Sequence, residues 1–198
     1  PEELTLLWEA IVLDEAPAEY VQINAINQRD HSPLLPFEPV LDDVYVYVHL
    51  GDTVAALDRR SGKVSFYAPG GIEGDAGRVG LLMLDSPGPR APTIHEGVLY
   101  FDRVLFDENR EATDRSNELV AFDVAERQTL WCLPPSPQAT DLPEALRQAI
   151  FFRGAPAVDG DRLYVYGAIR AEDEGMPTRR EMAHLFCFNR HTGALLWE

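Results

Sequence analysis

The sequence predicts an all-β fold: a β-propeller segment of about three four-stranded antiparallel blades, part of a larger ring. Three observations predict it. The phrase Asn189-Arg190-His191-Thr192-Gly193-Ala194-Leu195-Leu196-Trp197 has two blurred copies upstream, Asp58-Arg59-Arg60-Ser61-Gly62-Lys63-Val64-Ser65-Phe66 and Asp123-Val124-Ala125-Glu126-Arg127-Gln128-Thr129-Leu130-Trp131. Their anchors Asp58, Asp123 and Asn189 lie 65 and 66 residues apart, a period that implies stacked or radially arranged units. Before each phrase come short runs of alternating Tyr and β-branched residues separated by tight-turn signals, which read as antiparallel strands. Four strands per unit with no convincing helix inside a unit describe a blade, and blades repeated about an axis protect one another's edges.

The elements follow in order. Residues 1–10, with Leu4-Thr5-Leu6-Leu7-Trp8, read as the outer strand of a preceding blade, Trp8 matching the terminal aromatic of a unit. The first full unit spans 36–67. Its opening strands are the loosest, because Pro39-Val40-Leu41-Asp42-Asp43-Val44-Tyr45-Val46-Tyr47-Val48 has a short turn without Gly. Val54-Ala55-Ala56-Leu57-Asp58 is its third strand, and the fourth ends in Phe66. The second unit spans 91–132: Pro92-Thr93-Ile94-His95-Glu96-Gly97-Val98-Leu99-Tyr100-Phe101, then Leu119-Val120-Ala121-Phe122-Asp123, then a strand ending in Trp131. The third, 154–198, is the cleanest. Asp159-Gly160 turns between Pro156-Ala157-Val158 and Leu163-Tyr164-Val165-Tyr166, and His184-Leu185-Phe186-Cys187-Phe188-Asn189 precedes the closing phrase. The turns between third and fourth strands centre on Ser61-Gly62, Ala125-Glu126 and Thr192-Gly193. Two of these hold Gly, which accepts positive φ without steric cost.

Linkers of 11–35, 68–90 and 133–153 join the units. Within the last, Asp141 can cap a helix, Pro143 suits its first turn, and Leu142, Leu146 and Ile150 recur at helical spacing, which predicts a short amphipathic helix over 141–151. The links between second and third strands are also swollen, roughly 102–117 and 170–183. Both kinds of long link follow an even-numbered strand, so in a meander all of them emerge on one side, where recognition tends to live. A self-contained β-sandwich is the rival architecture. Pro1 is not a Met and the chain stops directly after Trp197-Glu198, so the 198 residues read as cut from a longer polypeptide, with any targeting signal outside the window.

Composition narrows function more than it defines it. With 33 acidic against 17 basic residues, the net charge is −16. That field repels nucleic-acid backbones and anionic lipid surfaces. No apolar run approaches the roughly 20 residues of a membrane span. Cys132 and Cys187, in strands of different units, read as small buried hydrophobes and form no Cys-x-x-Cys pair. His31, His49, His95, His184 and His191 lack zinc-binding spacing; His95 and His191 fall at turns, and His184 fits a packed strand position. The acidic clusters Asp102, Asp107, Glu108, Glu111, Asp114 and Glu172, Asp173, Glu174 lack the spacing of a calcium loop, and Arg103, Arg110 and Arg115 interleave the first. No nucleophile elbow occurs, and Gly70-Gly71-Ile72-Glu73-Gly74-Asp75-Ala76-Gly77 lacks the Lys-Ser/Thr ending of a phosphate loop, so it reads as a flexible linker. The reading assigns no catalytic residue, no metal ligand and no cofactor.

The motif Ala-x-Asp-x-x-Thr-Gly-x-x-x-Trp, preceded by Pro-x-apolar-x-Asp-Gly-x-apolar-Tyr-apolar, resembles the pyrroloquinoline-quinone-like (PQQ-like) β-propeller repeat over most of residues 36–198. The third unit matches at Asp159-Gly160, Tyr164, Asn189, Thr192-Gly193 and Trp197, with Cys187 in place of the usual Ala. The second keeps Ala121, Asp123 and Trp131 without the Thr-Gly; the first keeps Ala56, Asp58 and Gly62 with Phe66 in place of Trp. The resemblance implies that Trp8, Trp131 and Trp197 pack between neighbouring blades, against the turn that holds the Gly. It also implies an extracytoplasmic setting.

That family includes quinone-dependent alcohol and sugar dehydrogenases and non-catalytic scaffolds such as the lipoprotein propeller of outer-membrane assembly. The adjacent Cys-Cys pair and the Glu/Asn/Asp calcium set of the enzymes have no counterpart here, so the chain resembles the scaffolds more closely. The expectation is a non-catalytic module that binds a protein or ligand on its long-loop face. Two alternatives stand beside it: a dehydrogenase fragment taking PQQ and calcium, and a sensor propeller fused to a signalling domain.

Overall fold

The computed structural model describes residues 38–50, 53–69, 91–106, 112–133, 150–171 and 180–197. Twelve strands and no helix occur among them. The strands form three antiparallel meanders of four. β1 (Val40–Leu41), β2 (Tyr45–His49), β3 (Val54–Asp58) and β4 (Val64–Ala68) make the first sheet. β5 (Thr93–His95), β6 (Val98–Phe106), β7 (Ala112–Asp123) and β8 (Gln128–Leu133) make the second. β9 (Ile150–Asp159), β10 (Arg162–Ala171), β11 (Arg180–Asn189) and β12 (Leu195–Trp197) make the third.

The repeat anchors explain themselves in the turns. In each, the anchor side chain accepts backbone N–H groups of the next turn: Ser61 N–H to Asp58 Oδ1 at 2.8 Å, Glu126 N–H to Asp123 Oδ1 at 2.9 Å, and Thr192 N–H to Asn189 Oδ1 at 3.1 Å. A short side-chain acceptor is needed there because these amides have no strand partner, and Asp or Asn supplies it in all three turns. The residue four places on is left-handed in all three turns, with φ of 70° at Gly62, 54° at Arg127 and 72° at Gly193. The turn at Val124–Arg127 is centred on Ala125-Glu126 as expected, with the positive φ carried by Arg127. Each fourth strand then shows a register irregularity just before its aromatic, at Ser65, Leu130 and Leu196. In the first sheet, Asp42 replaces the missing Gly. Its carboxylate accepts Val44 and Tyr45 N–H, each at 2.7 Å, and the Tyr47 hydroxyl at 2.7 Å. Partial burial pushes the Asp42 carboxyl up, but these three donors outweigh it and hold the group below the usual carboxylate range.

The three sheets pack face to face in chain order. Tyr47, Val54, Ala56, Phe66 and Ala68 of the first form one core with Leu99, Phe101, Val120 and Phe122 of the second. The opposite face of the second, Tyr100, Leu119, Ala121 and Leu133, forms another with Phe152, Leu163, Val165, Phe186 and Phe188 of the third. The middle sheet thus has no solvent face, and its strands read as continuous apolar runs, Val98-Leu99-Tyr100-Phe101 and Leu119-Val120-Ala121-Phe122. At roughly 1.5–3 kcal/mol for each fully buried large side chain, these two cores supply the main cohesion between sheets.

The aromatic that closes a sheet sits on the left-handed turn residue of the next. The Trp131 ring covers Gly193, and its Nε1–H donates to the Arg190 carbonyl at 2.9 Å. In the preceding pair Phe66 stacks on Phe122 with centroids 6.1 Å apart, and the Arg127 guanidinium lies 5.1 Å from the Phe66 centroid. Trp goes with Gly, and Phe with Arg: the smaller ring leaves space that the longer side chain fills. A left-handed Arg costs about 1 kcal/mol of backbone strain, which a cation–π contact worth about 0.5–1 kcal/mol offsets. Arg127→Gly alone should therefore change stability by less than about 0.5 kcal/mol. Combined with Phe66→Trp, which restores the Trp-on-Gly pair, it should stabilise by more than the two single changes added together. Urea midpoints of the four proteins test this coupling; strict additivity would contradict the pairing.

Two sequence expectations are corrected. The sequence predicts loops over 102–117 and 170–183, yet β6 runs to Phe106, β7 starts at Ala112, β10 runs to Ala171 and β11 starts at Arg180. Alternation is weak there, but strand pairing continues without it. The predicted helix over 141–151 ends in strand, since Ile150 and Phe151 open β9 and pair with Ile169 and Ala168. Its other residues lie outside the described ones, as do Trp8, His31 and residues 70–77.

Candidate functional site

In each meander the second and fourth strands end on the same side, so the chain leaves β4 and β8 where β2, β6 and β10 turn back. On that side β6 and β7 remain paired beyond the four-stranded part of their sheet, from Arg103↔Glu118 out to Phe106↔Ala112. β10 and β11 pair out to Ala171↔Arg180, accompanied by β9 up to Ile169↔Ile150. The long-link side is therefore built of projecting ribbons.

At the root of the first ribbon a buried polar chain crosses all three sheets. His49 ends β2, and its Nε2 lies 2.5 Å from the Asp102 carbonyl oxygen in β6. A carbonyl can only accept, so Nε2 carries the proton. The Asp102 carboxylate accepts Asn117 Nδ2–H at 2.8 Å. The same Nδ2 donates to the Phe152 carbonyl in β9 at 2.6 Å, and Phe152 N–H donates back to Asn117 Oδ1 at 2.8 Å. The Asn117 amide thus stands in for a backbone unit and stitches β7 to β9 where no ladder connects the two sheets. His49, Asp102 and Asn117 are all buried. Buried polar groups of this kind are tolerated only when hydrogen-bonded, so the chain fixes the register of three sheets. Beside it, the cross-strand neighbours Arg103 and Glu118 form an ion pair.

The opposite side carries the short turns and a second lock. Arg190, largely buried in the third sheet, pairs with Glu96 in the second. Hydrogen bonding to that guanidinium holds Glu96 below the usual carboxylate range. Glu96 occupies the Glu96-Gly97 turn with φ of 48° and 75° at the two residues. This is the positive-φ pair that a two-residue hairpin needs. Thr93 Oγ1–H donates to the Pro156 carbonyl along the same boundary.

The residues singled out from sequence fall as follows. Asp102 is not a loop carboxylate but an inward-facing strand residue held by Asn117. Asp114 and Arg115 fall within β7, whereas Asp107, Glu108, Arg110, Glu111 and Glu172–Glu174 lie outside the described residues. Among the described residues no three His, Cys, Asp or Glu side chains converge as a metal site. His184 stacks on Phe186 at 5.9 Å, and His191 is exposed beside Asp161 at 3.0 Å. His95 closes β5, more than a third exposed. Cys187 is buried and Cys132 half-buried, both unbridged. Burial, reinforced by the Glu118 charge, pushes the Cys132 thiol up, away from nucleophilic character. Among the described residues no helix is long and apolar enough to cross a membrane. The sequence does not announce His49 and Asn117 as partners; the available signal is a polar residue at the end of an apolar run, His49 after Val48 and Asp102 after Phe101. No protein-family model and no curated protein matches the chain.

Proposed function

We propose that the chain is a segment of a PQQ-like β-propeller that acts as a binding and scaffolding module, presenting its long-link side to a protein or ligand partner. The observation that carries this reading is the β6–β7 ribbon, which projects from a base cross-linked over three sheets by His49, Asp102 and Asn117. A ribbon anchored this way keeps a recognition surface in one orientation without ordering it on binding, which lowers the entropic cost of association. The polar chain serves as anchorage, since the His49 proton rests on a backbone carbonyl and the Asp102 carboxylate on an amide. The Trp131 seat on Gly193 supports the family reading, and with it an extracytoplasmic setting.

The test shortens the ribbon while keeping its root. Replacing residues 105–116 by Asn-Gly joins the paired residues Val104 and Asn117 through a two-residue turn. The variant should keep its far-UV circular dichroism and cooperative unfolding, yet lose capture of the partner that the parent protein retains from extracts of its source. Undiminished capture overturns the assignment. So does dye reduction with alcohols or sugars after addition of quinone and calcium, which would establish the dehydrogenase reading.

A further inference from the structure

We infer that Asp159 is a modification site, where the backbone at Asp159-Gly160 converts spontaneously to an isoaspartyl linkage in the folded protein. Asp159-Gly160 is the sole Asp-Gly pair among the 198 residues. The chemistry requires a short carboxyl followed by an amide nitrogen that no side chain crowds. The Gly160 nitrogen attacks Asp159 Cγ; an N–C bond forms, a Cγ–O bond breaks, and the carboxyl OH leaves as water with the amide proton. Water then opens the five-membered imide at the original peptide carbon. The chain now runs through Cγ, and the α-carboxylate is released. One water leaves and one enters, and nothing is oxidised or reduced.

The three sheets show why only this hairpin qualifies. Tyr45↔Asp58, Val98↔Asp123 and Arg162↔Asn189 are the same rung, so Asp42, His95 and Asp159 occupy equivalent places. The Asp42 carboxylate is tied by Val44 N–H, Tyr45 N–H and the Tyr47 hydroxyl, and Asp43 follows it. His95 carries no carboxylate. Asp159 meets both requirements. It is exposed, and among the described residues its carboxylate has the Arg162 charge nearby but no hydrogen bond. Gly160 lies in the two-residue loop beyond the last rung, Arg162↔Asp159, with φ of 55°. A Cβ placed on it would meet nothing within 4 Å, so nothing obstructs the approach to its nitrogen. The converted backbone is longer between that rung and Asp161, whose carbonyl accepts Arg190 N–H at 3.0 Å. The Arg190 carbonyl in turn holds Trp131 Nε1–H, so a slow event at the exposed hairpin loosens the seat between the second and third sheets. None of this depends on a partner at the long-link side.

The folded protein is kept in H₂¹⁸O at neutral pH and physiological temperature, returned to ordinary water, and cut by trypsin after Arg153 and Arg162. A second chromatographic form of the 154–162 peptide should grow with time, carrying solvent ¹⁸O, and electron-transfer fragmentation should place the isoaspartyl linkage at Asp159. Asp161, in the same peptide but followed by Arg162, should stay unlabelled. The rate should lie within an order of magnitude of that of the free 154–162 peptide. Gly160→Asn, which keeps a residue tolerant of positive φ, should lower it several-fold. In partly denaturing urea a brief protease pulse should deplete the isoaspartyl form from the surviving molecules. A linkage that forms in the free peptide but not in the folded protein, or equally at Asp161, overturns the assignment of the site. Equal survival of the two forms in the pulse overturns the loosening of the Trp131 seat.

Discussion

Gly193→Ala should cost about 2–4 kcal/mol of folding stability, whereas Gly97→Ala should cost about 1 kcal/mol. Both glycines are left-handed, at 72° and 75°, so the backbone penalty is shared. The difference is space. A Cβ on Gly97 meets nothing within 4 Å, but one on Gly193 meets Trp131 Cδ2 at 3.0 Å and Cε3 at 3.1 Å. The indole cannot retreat, because its Nε1–H is tied to the Arg190 carbonyl and its ring lies against Tyr100, with centroids 6.2 Å apart. Relief therefore requires the second and third sheets to part slightly, at the expense of the core behind them. Urea denaturation of both variants measures the comparison. In a Trp131→Leu background the Gly193→Ala cost should fall toward that of Gly97→Ala, since only the strain remains. Equal costs for the two alanines in the parent protein would mean that the ring does not rest on the turn.

Asn117→Ala should cost about 3–5 kcal/mol, from about 1–3 kcal/mol for each buried polar group that loses its Asn117 hydrogen bond. The Phe152 N–H, the Phe152 carbonyl and the Asp102 carboxylate all lose their Asn117 bond at once, in the interior between two sheets. Asn117→Asp should be at least as damaging at neutral pH. It keeps the acceptor for Phe152 N–H but turns a carboxylate toward both the Phe152 carbonyl and the Asp102 carboxylate. Leu130→Ala serves as the control: Leu130 lies at the β8 irregularity, 44% exposed, and its truncation should change stability by less than about 0.5 kcal/mol. Chemical denaturation measures all three. An Asn117→Ala cost below that of Leu130→Ala would mean that the polar chain does not join the sheets.

The sheets were legible in the sequence because their information is local and repeated. Asp58, Asp123 and Asn189 mark turns whose amides need a side-chain acceptor, and alternating runs such as Leu163-Tyr164-Val165 mark strands, so the four-stranded units could be placed from spacing alone. The chemistry between sheets was less legible, because it depends on residues about 60 positions apart that share no motif. Arg127 reads as a lost glycine until Phe66 is seen beneath it. Asn117 reads as the end of a loop until Phe152 is seen across from it. Proximity in sequence groups Asp102 with the loop carboxylates, although the run Val98–Phe101 continues directly into it and carries it inward. The helix expected near Ile150 rested on apolar spacing, and Ile150 and Phe151 satisfy that spacing equally well as the start of a strand that pairs with β10.

Sheet-to-next-sheet contact at the closing aromatics holds the stacked arrangement together most directly. Nuclear Overhauser effects in the labelled protein measure it. Cross-peaks should join the Trp131 ring protons to the Gly193 α-protons, and the Phe66 ring to the rings and side chains of Phe122 and Arg127. Cross-peaks confined to residues of each aromatic's own sheet would contradict the stacked arrangement.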